Sequence, residues 1–216
     1  MSNPWLEIPL GDYEGHMAAP EVGQLEALAD LFGEALRICR PASVAVLGVA
    51  GGNGLEHCDG AIVSRVVGVD VNPRYLEEVW QRHGGSLNLE LVCHDLAEKK
   101  IDLPPVDLVH AALVFEHAGV RRCMENAVGL VGDGGALSVV LQLPADGGRN
   151  VGASPFASLQ RLKDHFTLIA PEWMRGEIEA RGFQLLWEGE RSLPAGKKFW
   201  IGVFRRLRLR PPSSVH

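Results

Sequence analysis

A cluster of small residues follows the first long apolar run of the chain, in the stretch VAVLGVAGGNGLEHC at residues 44 to 58. A backbone without large side chains can approach a ligand closely and can adopt positive φ values. A loop of this kind between a strand and a helix either holds a nucleotide or makes a tight turn with no ligand. The residues that would either contact a nucleotide or form the turn are Gly48, Ala50, Gly52, Asn53 and Gly54.

Two aspartates further along the chain favour a nucleotide. Asp70 ends the apolar run VVGVD, and an acid at such a strand end, roughly 20 residues after the glycine loop, can accept hydrogen bonds from both ribose hydroxyls. Asp95, in LVCHDL, can accept from the exocyclic amine of adenine, with Leu96 beside the ring. The alternatives are an N-cap ahead of Pro73 for Asp70 and a turn-forming role for Asp95.

An adenosine site by itself does not distinguish NAD(P) from S-adenosylmethionine, because both cofactors contain the same ribose. The two tyrosines of the chain, Tyr13 and Tyr75, do not begin a YxxxK pair, which a common group of hydride-transfer enzymes uses. In the last third, two strand-like runs surround a PAGK turn, and we expect them to pair as an antiparallel hairpin. Such a hairpin is foreign to the usual dinucleotide-binding domain.

The elements around these residues alternate between strands and helices. The pattern predicts a helix over residues 21–39, five strands within residues 43–143, a short helix in GLEHCDGAI and a longer one that begins at Pro73. Alternation at this spacing predicts right-handed βαβ units and a parallel sheet. Residues 1–20 are predicted to be irregular, and the glycines around residues 132–135 to form a turn.

Composition and charge exclude several classes of protein. A chain of 216 residues suggests one domain, and a net charge of −6 argues against a general nucleic-acid binder. No apolar run approaches the ~20 residues of a membrane helix, and the N-terminus lacks a signal-peptide pattern, so we expect a cytoplasmic protein. The four cysteines form no CxxC pair and no HExxH is present, so no metal site is predicted.

Taken in order, these stretches resemble a class I S-adenosylmethionine-dependent methyltransferase over about residues 40 to 204: VAVLGVAGGNG, VVGVDVNP, LVCHDL, VDLVHAALVFEH, LVGDGGALSVVLQLP and GFQLLWEGERSLPAGKKFWIGVF. The resemblance implies an α/β fold, a doubly wound Rossmann-like sheet of seven strands that is mostly parallel with an antiparallel last strand. It implies S-adenosylmethionine as cofactor, a small-molecule acceptor, and a monomer or homodimer. The expected parts are an N-terminal arm and helix at 1–40, the methyltransferase domain at 41–206 and a C-terminal tail at 207–216.

The resemblance also implies roles for individual residues. Gly52 and Gly54 would lie under the methionine part and the ribose, and Ala111 with Ala112 would open the methyl-donor pocket. The cofactor-binding residues expected in this way are Gly48, Ala50, Gly52, Asn53, Gly54, Asp70, Val71, Asp95, Leu96 and Ala111.

Two positions depart from the family pattern. The family has an acid where Gly48 stands, which would help to hold the donor's ammonium group, and glycine where Ala50 stands. Either another acid substitutes for the missing one or donor binding is weakened. An NAD(P)-binding oxidoreductase and a non-catalytic scaffold with the methyltransferase fold therefore remain as alternative hypotheses.

Methyl transfer requires alignment of the acceptor and, for an alcohol or phenol, removal of a proton. The candidate catalytic residues are His16 as a general base, Tyr13 to orient the acceptor or contact the methionine carboxylate, and His117 after the fourth strand. Apolar candidates for the acceptor pocket are Trp5, Phe156 and Trp173. For each of these residues, ordinary packing or solvent exposure is the alternative.

Overall fold

Strands and helices alternate along the chain in the computed structural model, which describes residues 3–144, 154–194 and 196–208, with only the backbone of residue 163. The strands are β1 Ser43–Leu47, β2 Arg65–Asp70, β3 Leu89–Cys93, β4 Val106–Ala112, β5 Val131–Gln142, β6 Phe183–Ser192 and β7 Lys198–Arg206. The helices are α1 Leu10–Ala18, α2 Gln24–Cys39, α3 Pro73–His83, α4 Phe115–Ala118, α5 Val120–Leu130 and α6 Pro171–Glu179. Short 3-10 segments span Pro4–Glu7, Leu55–His57 and Ala157–His165.

All seven strands form one sheet in the order β3-β2-β1-β4-β5-β7-β6. Strands β1 to β5 run parallel, and β7 lies antiparallel between β5 and β6. The predicted seven-stranded, mostly parallel sheet with its antiparallel last strand is therefore confirmed.

Both faces of the sheet are covered, which explains why its central strands are mostly apolar. Successive side chains of β1 point to opposite faces: Val46 packs in the cluster that contains α2 and α3, and Leu47 in the cluster that contains α5 and α6. The parallel strands consequently end together at one edge, beside the residues predicted to bind a ligand.

The predicted irregular arm at residues 1–20 is wrong, because it contains α1 and a 3-10 segment. Gly11 and Gly15 lower the helix propensity of this stretch, and tertiary contacts compensate. Ile8 and Met17 are buried, and a Cβ at Gly15 would lie 2.9 Å from the Phe156 ring.

The predicted turn at residues 132–135 is also wrong. The strand β5 begins at Val131 and passes through these glycines, with a register shift against β4 between Val106 and Leu108. Gly134 has a φ of 72°, so the glycines make an irregularity within the strand. The predicted helix in GLEHCDGAI is reduced to one 3-10 turn.

Two further predictions concern membrane-spanning helices and the C-terminal tail. Across the described ranges, no helix has both the length and the apolar character needed to cross a membrane. Most of the predicted tail at 207–216, from residue 209 onward, lies outside the described residues.

Candidate functional site

The carboxyl ends of β1, β2, β3 and β4 meet around a cavity of about 120 Å³. Side chains or backbone from each of these strand ends line it, and so does the N-terminal arm through Asn3, Trp5 and Tyr13. Six of the predicted cofactor-binding residues line this cavity together: Gly48, Ala50, Asp70, Val71, Asp95 and Leu96.

Asp70 fixes the shape of the loop beside the cavity. Its carboxylate accepts hydrogen bonds at 2.9 Å from the backbone N–H of Ala50 and at 2.9 Å from that of Asn72. Burial raises the pKa of Asp70, and these backbone N–H groups act in the opposite direction. A carboxylate has about four acceptor positions, so both oxygens can still accept from a ligand.

The N-cap of α3 is Asn72, whose side chain accepts from the backbone N–H of Arg74. The alternative that Asp70 caps this helix is therefore wrong. Asp70 is free of that role and holds the loop after β1 instead.

The backbone after β1 is left-handed at four of the predicted positions, and two of these, Gly48 and Ala50, line the cavity. Gly48 has a φ of 67° and Ala50 a φ of 46°. A Cβ at Gly48 would lie 2.7 Å from Cγ2 of Val114. Both the positive φ and this close approach therefore disfavour a side chain at position 48. Ala50 occupies a conformation that favours glycine, in agreement with the family pattern.

Gly52 and Gly54 serve the packing of the loop. A Cβ at Gly54 would lie 3.0 Å from the Phe32 ring, and one at Gly52 would lie 3.0 Å from the ring of His83. Neither glycine is among the residues that line the two cavities at this edge. Their predicted contact with the ligand stays untested.

A second cavity of about 50 Å³ lies on the other side of Gly48 and Ala50. Asn53 lines it and donates through Nδ2 to the carbonyl of Leu25 at 2.8 Å, which ties the loop to α2. Ala111 is fully buried in the core, whereas the neighbouring Ala112 lines both cavities.

Asp95 is engaged by the N-terminal arm. Its Oδ2 accepts from Nδ2 of Asn3 at 2.9 Å, while Oδ1 accepts from the backbone N–H of Ala97 and makes the turn considered as its alternative role. The backbone carbonyl of Trp5 also accepts from Nδ2 of Asn72 at 2.9 Å. The amide NH₂ group of Asn3 thus occupies the carboxylate oxygen of Asp95 that is expected to accept from the adenine amine. No local pattern in the sequence predicts this contact.

Tyr13 lines both cavities and packs edge-on against Trp5, with ring centroids 5.4 Å apart. Burial raises the pKa of Tyr13, and the nearby carboxylates of Asp70 and Glu14 raise it further. Its hydroxyl therefore stays protonated and can donate a hydrogen bond into the site.

His117 lines the larger cavity and contacts the rings of Trp5 and Phe166 at 5.0 and 5.2 Å. Its Nδ1 is buried without a hydrogen-bond partner. Burial, with a smaller effect from His165, lowers the pKa of His117 to about 4. The ring is neutral at physiological pH, which suits a hydrogen-bonding group better than a strong base.

Glu116 points into the core. Its Oε1 accepts from the backbone N–H of Gln142 at 2.8 Å, and Oε2 is buried without a partner. Burial raises the pKa of Glu116 to about 7.

Three other predicted residues do not line either cavity. His16 is half-buried, and burial, followed by the nearby Lys197, lowers its pKa. Phe156 packs on Gly15, and Trp173 is 48% exposed. Their predicted roles stay untested, and this arrangement gives them no contact with the strand ends.

A larger surface cavity, of about 770 Å³, lies elsewhere, between α2, residues 57–63 and Arg191. None of the predicted cofactor-binding residues lines it. We assign the site by chemistry, because Asp70, Asp95 and the glycine loop converge on the cavity of about 120 Å³ at the strand ends. Within the described residues, no group of three or more His, Cys, Asp or Glu side chains is placed to hold a metal ion.

Comparison with known proteins agrees with this geometry. Residues 45–139 match a family described as a methyltransferase domain. The matched residues include the glycine loop, Asp70 and Asp95. A comparison of the sequence with curated proteins finds no match.

Solved structures share the fold. The N-methyltransferase NodS from Bradyrhizobium japonicum WM9, in complex with S-adenosyl-L-homocysteine, is 16% identical with a TM-score of 0.66, over 95% of this chain and 99% of that one. Magnesium protoporphyrin IX methyltransferase from Synechocystis PCC 6803 is 16% identical with a TM-score of 0.64, over 86% and 84%. The [4+2]-cyclase SpnF has a TM-score of 0.62 at 14% identity, over 85% and 81%. At these identities the likeness establishes the fold.

Replacing Ala50 with glycine should stabilise the protein. The left-handed conformation costs a non-glycine residue about 1 kcal/mol, and glycine avoids this cost at the expense of some chain entropy. Urea denaturation of Ala50→Gly should therefore give an unfolding free energy equal to that of the wild type or up to about 1 kcal/mol higher. A loss of more than 1 kcal/mol would contradict the observed backbone conformation.

Replacing Glu116 with glutamine should change how stability depends on pH. The pKa of this carboxyl is raised from 4.5 to about 7 in the folded protein, so the native state binds the proton more tightly than the unfolded chain. Its contribution to stability is complete below pH 4.5 and is lost as the pH rises through about 7. Between pH 5 and 8 the wild type should lose up to about 3 kcal/mol relative to Glu116→Gln. Equal pH profiles by urea denaturation would show that the carboxyl titrates normally.

Proposed function

We propose that the chain, whose residues 45–139 match a methyltransferase domain, is an enzyme that transfers the methyl group of S-adenosylmethionine to a small-molecule acceptor. One observation carries this proposal: carboxylates from two neighbouring strand ends, Asp70 and Asp95, line the same cavity as the bare loop at Gly48 and Ala50. S-adenosylmethionine carries its methyl group on a sulfonium, already activated for transfer.

The residues present fit an adenosine-containing donor. We assign Asp70 to the ribose hydroxyls and Asp95 with Leu96 to the adenine, while the backbone at Gly48 and Ala50 faces the remainder of the molecule. The cavity of about 120 Å³ is smaller than the ~300 Å³ that drug-sized ligands need. Because Asn3 occupies the acceptor assigned to the adenine amine, donor binding requires the side chain of Asn3 to move away from Asp95.

The acceptor side is assigned to the groups that close the cavity from the arm and from α4. Tyr13 supplies a hydroxyl donor, His117 a neutral imidazole and Trp5 an apolar wall. These groups can orient an acceptor and exclude water. Their size and apolar character support a small molecule that contains an aromatic or aliphatic part, in line with the name of the structurally similar magnesium protoporphyrin IX methyltransferase.

Two other functions, an NAD(P)-binding oxidoreductase and a non-catalytic scaffold, have less support, and each is tested by a different observation. The methyltransferase-domain match favours a methyl donor over NAD(P). A scaffold without donor binding is suggested by the engagement of Asp95 with Asn3. The cytoplasmic location, the monomeric or homodimeric state and the boundaries at residues 40 and 206 stay predictions from the sequence.

Replacing Asp70 should weaken donor binding. Wild-type protein should bind S-adenosylhomocysteine in the micromolar range by isothermal titration calorimetry. Asp70→Asn should weaken binding by about 10- to 100-fold, because charge-assisted hydrogen bonds to the ribose contribute roughly 1.5–3 kcal/mol. Since Asp70 also holds the loop, circular dichroism must first show that the variant is folded.

A matched control is Asp133→Asn, an exposed aspartate near the start of β5, at the opposite edge of the sheet. It should bind as the wild type does. Wild-type protein that binds neither S-adenosylmethionine nor S-adenosylhomocysteine would overturn the proposal, and binding of NAD(H) in their place would support the oxidoreductase.

A further inference from the structure

The amino-acid end of S-adenosylmethionine presents a chemical problem to this site. It carries an ammonium and a carboxylate, and charged groups that leave water need partners of opposite charge. The loop at residues 48–54, GVAGGNG, contains no charged side chain. The partners must therefore come from other elements.

The strand end itself cannot supply them. At Gly48 the φ of 67° disfavours any side chain, and a Cβ would meet Val114 at 2.7 Å. An acid at this position would strain the backbone and displace the start of α4.

Glu14 brings a carboxylate to the loop from α1. It lines the smaller cavity together with Gly48, Ala50 and Asn53. Its Oε1 lies in the space that a Cβ at Gly51 would occupy. Gly51 is not among the residues with positive φ, so its lack of a side chain is explained by the carboxylate that rests on it.

Arg82 brings the opposite charge to the same loop from α3. It donates from Nη1 to Oε1 of Glu14 at 2.6 Å and from Nη2 to Oε2 at 3.0 Å. Nη1 also donates to the carbonyl of Gly51 at 3.0 Å. Two helices that are distant in sequence thus place a carboxylate and a guanidinium group beside Gly51.

We propose that Glu14 and Arg82 bind the amino-acid end of the methyl donor, Glu14 through the ammonium and Arg82 through the carboxylate. This inference rests on the proposed function and adds to it the residues that recognise the zwitterion. Their present ion pair is partly exposed, with 40% of the Arg82 side chain and 22% of the Glu14 side chain accessible, so exchanging it for two ion pairs with the ligand costs little. Glu14 also replaces, from a different element, the acid that is missing at Gly48.

Three ligands separate the two charges in an isothermal titration. S-adenosylhomocysteine carries both charges, decarboxylated S-adenosylmethionine carries the ammonium without the carboxylate, and 5′-methylthioadenosine carries neither. Glu14→Gln should weaken binding of the first two by about tenfold and leave the third unchanged. Arg82→Gln should weaken only S-adenosylhomocysteine by a similar factor.

A matched control is Glu78→Gln on α3. Glu78 lies 3.9 Å from Nε of Arg82 but lines neither of the two cavities beside the loop, so its removal should leave all three affinities unchanged. Gly51→Ala should weaken binding of S-adenosylhomocysteine and of decarboxylated S-adenosylmethionine and leave 5′-methylthioadenosine unchanged, because its Cβ would displace the flexible ends of both Glu14 and Arg82.

The outcomes distinguish this inference from the proposed function. Wild-type protein that binds none of the three ligands would overturn both. Wild-type protein that binds all three, with affinities unaffected by Glu14→Gln, would overturn the inference alone. An equal loss for all three ligands in Glu14→Gln would also overturn it, since the carboxylate would then act on the loop as a whole.

Discussion

The arrangement of the site depends on one buried carboxylate. Asp70 joins the loop after β1 to the start of α3 through the backbone N–H groups of Ala50 and Asn72. Burying an acid is unfavourable, and these two hydrogen bonds offset part of that cost. The hydrogen bond to Ala50 also fixes the loop at a left-handed residue that lines the cavity.

The N-terminal arm completes the site. The sheet edge contributes acids and bare backbone, whereas Trp5, Tyr13 and Glu14 contribute the aromatic rings, a hydroxyl and a further charge. The hydroxyl of Tyr75 anchors the arm by donating to the carbonyl of Ile8 at 2.9 Å. A site shared between a rigid sheet edge and a segment docked on it can admit a ligand by local movement of that segment.

The sequence predicts the sheet better than it predicts the site. Parallel strands that are buried on both faces appear in the sequence as continuous apolar runs. Asp70 can be identified because it ends the second such run at a defined number of residues after the glycine loop. The contacts between Asn3 and Asp95 and between Glu14 and Arg82 join residues 92 and 68 positions apart, and no local pattern marks them. The sequence does not predict α1 for a related reason, because Gly15 disfavours a helix by itself and fits against Phe156, which is distant in the sequence.

The most direct measurement is a crystal structure of the protein with S-adenosylhomocysteine. The account predicts density for the ribose hydroxyls at the Asp70 carboxylate and for the adenine beside Asp95, with the side chain of Asn3 displaced from its present hydrogen bond. Density for the ligand at another part of the surface, with Asn3 still on Asp95, would contradict it.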